Sequence, residues 1–283
     1  LGEKVNRSSE VRGSWEEFIG MKRFRSLSRA TVNLLFPPEC LLCQRSLLVA
    51  EAEQRCDGAS DFCAACLAGL LADLPRCHRC GASVDVPDAV GQTVGERPSG
   101  CRQCQEAVPA WRGVVVLSAY GESVRDAVLR AKRPAGEPLA MALGSRLGRR
   151  VEEHREAVRV DVVVPVPMHW RRRAVRGTSA AVLLAAAVAS TLRLPSRRWL
   201  RRVRATPVQN SLPPEQRHQN VQSAFRAGRQ VRGRRVLLVD DVITTGATAA
   251  ACSRALLAAG AQDVYVAAVA KADRSAPLAC DGP

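Results

Sequence analysis

From residue 111 onward, short apolar runs alternate with stretches whose apolar positions recur every three or four residues. Val114–Ala119, Asp161–Val166, Arg235–Val239 and Val264–Ala270 are apolar runs of strand length, the pattern of strands covered on both faces. Between them, Ser123–Lys132, Leu139–Arg150, Thr178–Leu192 and Ala247–Ala259 read as helices. Pro134, Gly136 and Pro138 separate the first two, Gly260 stops the last, and Thr178 or Ser179 is placed to cap the third. Arg198–Arg204 reads as one more strand. Thr206–Gln219, with Pro207, Pro213 and Pro214, reads as a loop leading to a short helix. Strands alternating with helices predict an α/β fold with a parallel sheet, which takes its ligands beyond the carboxyl ends of the strands.

Ahead of residue 111 this periodicity is missing. Residues 1–20 are polar and mixed; Leu27, Ala30, Val32, Leu34 and Leu35 suggest a short helix stopped by Pro37, and Met21 reads as an alternative start. What organises the rest is cysteine. Four CxxC pairs occur, Cys40/Cys43, Cys63/Cys66, Cys77/Cys80 and Cys101/Cys104, with 19 and 20 residues between the first two and the last two. Two CxxC turns supply the four thiolates of a tetrahedral zinc site, so the pattern predicts two structural zinc ions. Sequential pairing and crossed pairing, in which the first turn shares a metal with the third, both satisfy the spacing. Disulfides are disfavoured because no secretory signal is evident. Cys56, Cys252 and Cys280 fall outside the pattern and read as ordinary small residues. The chain thus divides into an extension over 1–36, a double zinc-ribbon module over 37–108 and an α/β domain over 109–283.

Charge adds a second asymmetry. The net charge is +15, yet residues 1–110 hold 13 basic and 14 acidic groups, whereas residues 111–283 hold 29 and 13. Of the 42 cations only Lys4, Lys22, Lys132 and Lys271 are lysine. An arginine-rich domain implies phosphate-bearing partners, either nucleic acid or a multiply phosphorylated metabolite. Arg171–Arg176, Arg193–Arg204 and Arg226–Arg235 are the clusters that would follow a single-stranded phosphate backbone. Aromatics that stack on bases are sparse at 4%, with Trp170 and Trp199 in or beside the clusters. No run of about 18 apolar residues occurs, so no membrane insertion is expected, and a cytoplasmic location follows.

The most informative segment is Val236-Leu-Leu-Val-Asp240-Asp241-Val-Ile-Thr244-Thr245-Gly246-Ala247-Thr248. It reads as a buried strand, two acids, a small hydroxyl-and-glycine loop and a helix start. A helix N-terminus offers free N–H groups and a positive dipole end to a phosphate, and the threonines add hydroxyl donors. The adjacent acids suit a sugar diol or a hydrated Mg²⁺. No Gly-Lys-Ser/Thr follows, so this is not a Walker loop.

This segment closely resembles the ribose-phosphate loop of type I phosphoribosyltransferases. The resemblance implies that Asp240 and Asp241 hold the ribose hydroxyls of phosphoribosyl pyrophosphate (PRPP), and that Thr244, Thr245, Gly246, Ala247 and Thr248 wrap its 5-phosphate. With the cysteine head, LLFPPECLLC, YGESVRDAVLRAK and VVVPVPMHWRRRAVRG, almost the whole chain resembles the ComF family, whose relatives include GntX. That likeness implies a type I phosphoribosyltransferase domain behind a zinc module and a part in uptake of transforming DNA. It also places His169, Arg171 and Arg173 at the pyrophosphate loop, and Arg204, Gln209 and Arg217 at a flap over PRPP. Lys132, at a helix end, is within reach of the same anion. One departure is visible: Arg176-Gly177 is followed by Thr178-Ser179-Ala180, where the family has an aromatic, Asn and Gln. Two functions follow as expectations: a Mg²⁺- and PRPP-dependent phosphoribosyltransferase binding PRPP or ribose 5-phosphate, and a non-catalytic protein that keeps the fold. The latter would bind single-stranded DNA, or act as an adaptor to a competence helicase or DNA-processing protein.

Overall fold

A computed structural model describes residues 37–47, 61–71, 75–84, 101, 104–105, 108–168, 179–203 and 224–272. The chain forms two compact units, Leu1–Ala64 and Ala65–Pro283.

In the first unit the Cys40–Cys43 turn is a tight knuckle. The Gln44 N–H donates to the Cys40 carbonyl at 2.7 Å, and Glu39 and Ser46 pair across it. The second unit repeats the device. The Gly81 N–H donates to the Cys77 carbonyl at 2.7 Å, and Arg76 pairs with Ser83. In both knuckles the residue after the second cysteine has positive φ, 63° at Gln44 and 77° at Gly81. The doubled CxxC spacing in the sequence is therefore one local geometry used twice. Helix α1 (Ala64–Leu70) starts at the end of the first unit.

The rest of the second unit is built on β1 (Gly113–Ala119), α2 (Glu122–Ala131), α3 (Glu137–Glu153), β2 (Val162–Pro165), α4 (Ala180–Leu192), β3 (Leu200–Arg202), β4 (Phe225–Ala227), β5 (Arg235–Ile243), α5 (Ala247–Ala258) and β6 (Asp263–Lys271). β1, β6, β5 and β2 lie in that order in one all-parallel sheet. Val236–Val239 and Val266–Ala270 are fully buried, which is why these strands read as unbroken apolar runs. Helix α2 buries Val124, Ala127, Val128 and Ala131, the spacing of one helical face. The start of β5 is tied to the start of β2 by Asp161, which accepts from the Arg235 N–H (2.9 Å), Nε (3.2 Å) and an η-nitrogen (2.7 Å). Those bonds hold the Asp161 carboxyl below its usual range.

Several boundaries differ from the sequence expectation. β5 does not stop at Val239 but continues through both acids to Ile243, because β6 offers backbone partners as far as Lys271. Ladder hydrogen bonds here override the poor strand propensity of aspartate. The strand expected over Arg198–Arg204 is only Leu200–Arg202. Its antiparallel partner β4 was hidden between prolines and arginines; Leu200 and Phe225 are buried while Arg201 and Arg226 stand opposite each other. Helix α4 begins at Ala180 with Ser179 as N-cap residue, but the Ser179 hydroxyl caps nothing. The loop expected over 206–219, with the short helix it leads to, lies outside the described residues.

Candidate functional site

The carboxyl ends of β5 and β6 and the start of α5 form the candidate site. Successive strand residues point to opposite faces of a sheet, so Asp240 and Asp241 part company. Asp241 Oδ2 pairs with Lys132 Nζ at 2.9 Å, at the C-terminal end of α2. Asp240 accepts the Asp241 N–H on Oδ1 at 2.9 Å and lies on the side of α5, where its charge adds to burial in raising the Cys252 thiol. Loss of solvation is the main reason the Asp240 carboxyl is pushed up to about 7, and the neighbouring Asp241 adds to it. The Asp241 N–H and Lys132 act the other way.

After Ile243, Thr244 and Thr245 are exposed and Gly246 takes φ 78°, ψ 0° as the N-cap residue of α5. A β-carbon on Gly246 would be strained in this left-handed conformation and would lie 3.1 Å from Cη2 of Trp111. No side chain caps α5 at its N-cap residue; the Ala247 N–H has only a long bond, 3.4 Å, to Thr245 Oγ1. Ala247 and Thr248 open the helix, so its first-turn N–H groups face the loop. A neutral loop of this kind with an uncapped helix start can receive a phosphate.

Sequence reasoning passed over two residues here. Lys271, only 6% exposed, donates from Nζ to the carbonyls of Thr244 (2.8 Å) and Ala272 (2.9 Å) and so fixes the back of the loop. Trp111 packs against Gly246. The available signal was the chain's scarcity of lysine: of four lysines, Lys132 and Lys271 meet at this edge. Lys132, expected at the pyrophosphate, is bonded to Asp241. His169, Arg171, Arg173 and Arg217 lie outside the described residues, as do Arg204 and Gln209.

Two four-cysteine clusters form the second chemical feature. Cys40, Cys43, Cys63 and Cys66 come together, as do Cys77, Cys80, Cys101 and Cys104, the sulfurs of each set lying within 4.8 Å of one another. This is the sequential pairing. A zinc–sulfur distance of about 2.3 Å implies tetrahedral edges of about 3.8 Å. The sulfur separations fit: 3.7 Å for Cys43–Cys63, 3.8 Å for Cys77–Cys104 and 3.4 Å for Cys80–Cys101. Each set could hold zinc. Burial raises the Cys40 thiol, but N–H groups of Cys43, Cys63 and Leu42 outweigh it and bring it to about 7. In the second set, bonds from Cys104 and Cys80 hold Cys77 far below an ordinary thiol, while Cys104 is pushed up to about 12, chiefly by Cys77.

Residues 178–279 match the phosphoribosyl transferase domain family. The parallel sheet with its Asp-Asp edge is thus part of a phosphoribosyltransferase-type domain. Over 82% of its length the chain is similar to the DNA utilization protein YhgH of Escherichia coli K12 (29% identity over 245 residues, 96% of that protein). It is similar over the same share to Competence protein F of Haemophilus influenzae (26% over 240 residues, 96% of that protein). The chain is homologous to these competence and DNA utilization proteins, and the ComF resemblance of its motifs is borne out. Among solved structures, the glutamine PRPP amidotransferase from B. subtilis complexed with ADP and GMP matches at 27% identity and a TM-score of 0.33, over 46% of this chain and 25% of that one. Adenine phosphoribosyltransferase from Saccharomyces cerevisiae matches at 18% and 0.32, over 49% and 70%. No helix among the described residues is long and apolar enough to cross a membrane.

The raised Asp240 carboxyl makes stability depend on pH in an unusual direction. Its folded value, about 7, lies above the unfolded value of about 3.9. The folded state therefore binds the proton more tightly, and stability falls as pH rises between those values. Melting temperature of the free protein is expected to respond to Asp240→Asn at pH 8, by rising, and to change little at pH 4.5. Equal shifts at both pH values would remove the desolvated carboxylate from the account.

Proposed function

We propose that the chain binds PRPP, or ribose 5-phosphate, at Asp240–Thr248, and that it serves DNA uptake in a competent bacterium. The observation that supports this best is the joint position of two carboxylates and an uncapped helix start, with only Val242–Thr245 between Asp241 and the N-cap residue, at the carboxyl edge of a parallel sheet. In this reading Asp240 and Asp241 accept the ribose hydroxyls, and Thr244–Thr248 donate to the 5-phosphate. Mg²⁺ arrives with the pyrophosphate and offsets its charge, and His169, Arg171, Arg173 and Arg217 meet the same group. Ribose binding then draws Asp241 away from Lys132, freeing the ammonium for the pyrophosphate. The two clusters hold structural zinc, and zinc-binding cysteines suit a reducing cytoplasm. Calorimetry with PRPP and Mg²⁺ tests the reading: saturable binding that tightens from pH 6 to 8, as Asp240 ionises, supports it, and no heat at millimolar PRPP refutes it. A pyrophosphate-release screen across nucleobase and amine acceptors then separates a transferase from a non-catalytic binder.

One observation favours a second role on single-stranded DNA. Arg201 and Arg226 are exposed and directly opposite on the β3–β4 ribbon, and among the described residues neither has a carboxylate partner. Like charges facing each other cost stability, and a phosphate between them relieves that cost. Reversing Arg197, Arg198, Arg201 and Arg202 to glutamate is expected to weaken single-stranded DNA binding uniformly across sequences and to flatten its salt dependence. Binding that is insensitive to salt, or to the reversal, counts against this role, and a competence helicase or DNA-processing partner would then be the alternative.

A further inference from the structure

The second cysteine turn is built into the same unit as the phosphate loop, and two side chains run between them. The indole Nε1 of Trp111 donates to the Arg79 carbonyl, inside the Cys77–Cys80 turn, at 2.7 Å. The far edge of the same ring, Cη2, lies against Gly246. Trp111 is 7% exposed, so this contact is inside the protein. A second connection passes through Gly81. The Val114 N–H donates to His78 O at 2.8 Å and sets the turn on β1. A β-carbon at Gly81 would touch Val116 (3.0 Å), Val114 (3.3 Å) and the stem of Lys271 (3.8 Å). Lys271 is the residue whose Nζ holds the Thr244 carbonyl.

We infer that Trp111 is a positioning residue for the loop Thr244–Thr248, and that metal held by Cys77, Cys80, Cys101 and Cys104 sets the loop's order through it. This rests on the proposal that the loop receives a phosphate. Backbone bonds shape the cysteine turn, and metal drawing its sulfurs to Cys101 and Cys104 would add the restraint that holds the Arg79 carbonyl in place. With the turn released, the indole loses its anchor, and the ring that backs Gly246 is free to change rotamer. An exposed loop such as Thr244–Thr245 has few contacts of its own to resist that. The ring itself need not touch a ligand.

Amide hydrogen exchange on the full chain tests this without ligand. Cys101→Ser and Trp111→Ala are each expected to speed exchange in residues 244–250 by about tenfold, the worth of one lost hydrogen bond, and to leave 162–165 and 180–192 as they were. Because both act along one route, the double variant should exchange no faster there than Trp111→Ala alone. Additive effects, or unchanged exchange at 244–250, overturn the inference. Should Cys101→Ser loosen the whole sheet, Trp111→Phe decides. It keeps a ring and is expected to keep its zinc by elemental analysis while raising loop exchange; unchanged exchange in that variant overturns the inference. PRPP titration of the same samples separates the two ideas. A wild type that fails to bind PRPP removes the phosphate reading and leaves the exchange result standing. PRPP binding that is equally tight in the wild type and in Cys101→Ser, with loop exchange unmoved, removes only the coupling.

Discussion

Asp240→Asn combined with Asp241→Asn is expected to weaken PRPP binding by about 10²–10⁴-fold in calorimetry, with the protein still folded. Each carboxylate that accepts a ribose hydroxyl contributes a charge-assisted bond worth roughly 1.5–3 kcal/mol, and each 1.4 kcal/mol is about tenfold in affinity. The apo protein should tolerate the change, since Asp240 is a desolvated acid next to another acid and Lys132, freed from Asp241, is part-exposed. Gly246→Val is the complementary test, acting on the phosphate end. A β-branched residue at φ 78° costs at least about 1–2 kcal/mol in backbone strain, and its β-carbon would press on Trp111. Binding should fall below detection. A double Asn variant that binds PRPP as tightly as wild type would falsify the ribose assignment, whatever the loop does.

Elemental analysis of freshly purified protein is expected to give two zinc ions per chain, and stepwise chelation should remove them at different rates. Cys43 is exposed and Cys63 and Cys66 are half-buried, whereas Cys77, Cys101 and Cys104 are buried. The first cluster should therefore empty sooner. Loss of the second metal is the larger event, because Cys77, Cys101, Cys104 and Ala82 are the buried core of that module and small metal modules draw much of their folding energy from the ion. One zinc per chain would confine the prediction to a single cluster, and no zinc would end it.

Much of this was legible in the chain because the signals were local. The paired CxxC turns named both cysteine clusters, and the strand–acid–loop–helix run named the candidate site. What spacing could not decide was sequential against crossed pairing, which depends on how turns meet in space. The end of β5 was misjudged because two aspartates look like a turn until β6 supplies ladder partners through Lys271. β4 was invisible because three residues carry no period. Trp111 and Lys271 lie just outside the strands expected over Val114–Ala119 and Val264–Ala270; their roles come from residues 32 and 27 positions away, Arg79 and Thr244. Lys271 was the missed clue. In a chain that otherwise uses arginine, the compact ammonium of Lys271 stands between two backbone carbonyls.

The strand order β1-β6-β5-β2 has a consequence for how the protein is made. The two outer strands of the sheet leave the ribosome first, and the two inner ones come last. β2 thus waits unpaired until β5 has emerged at residue 243, and β1 waits longer, until β6 is complete at residue 271. Their pairing with each other, or with another nascent chain, is the error to which this order of synthesis is exposed. The cysteine knuckles need no such delay, since each closes within a few residues, and the second rests against β1 from the start. A metal-loaded knuckle sitting on β1 would act as a placeholder, shielding that strand during the interval before the centre of the sheet exists.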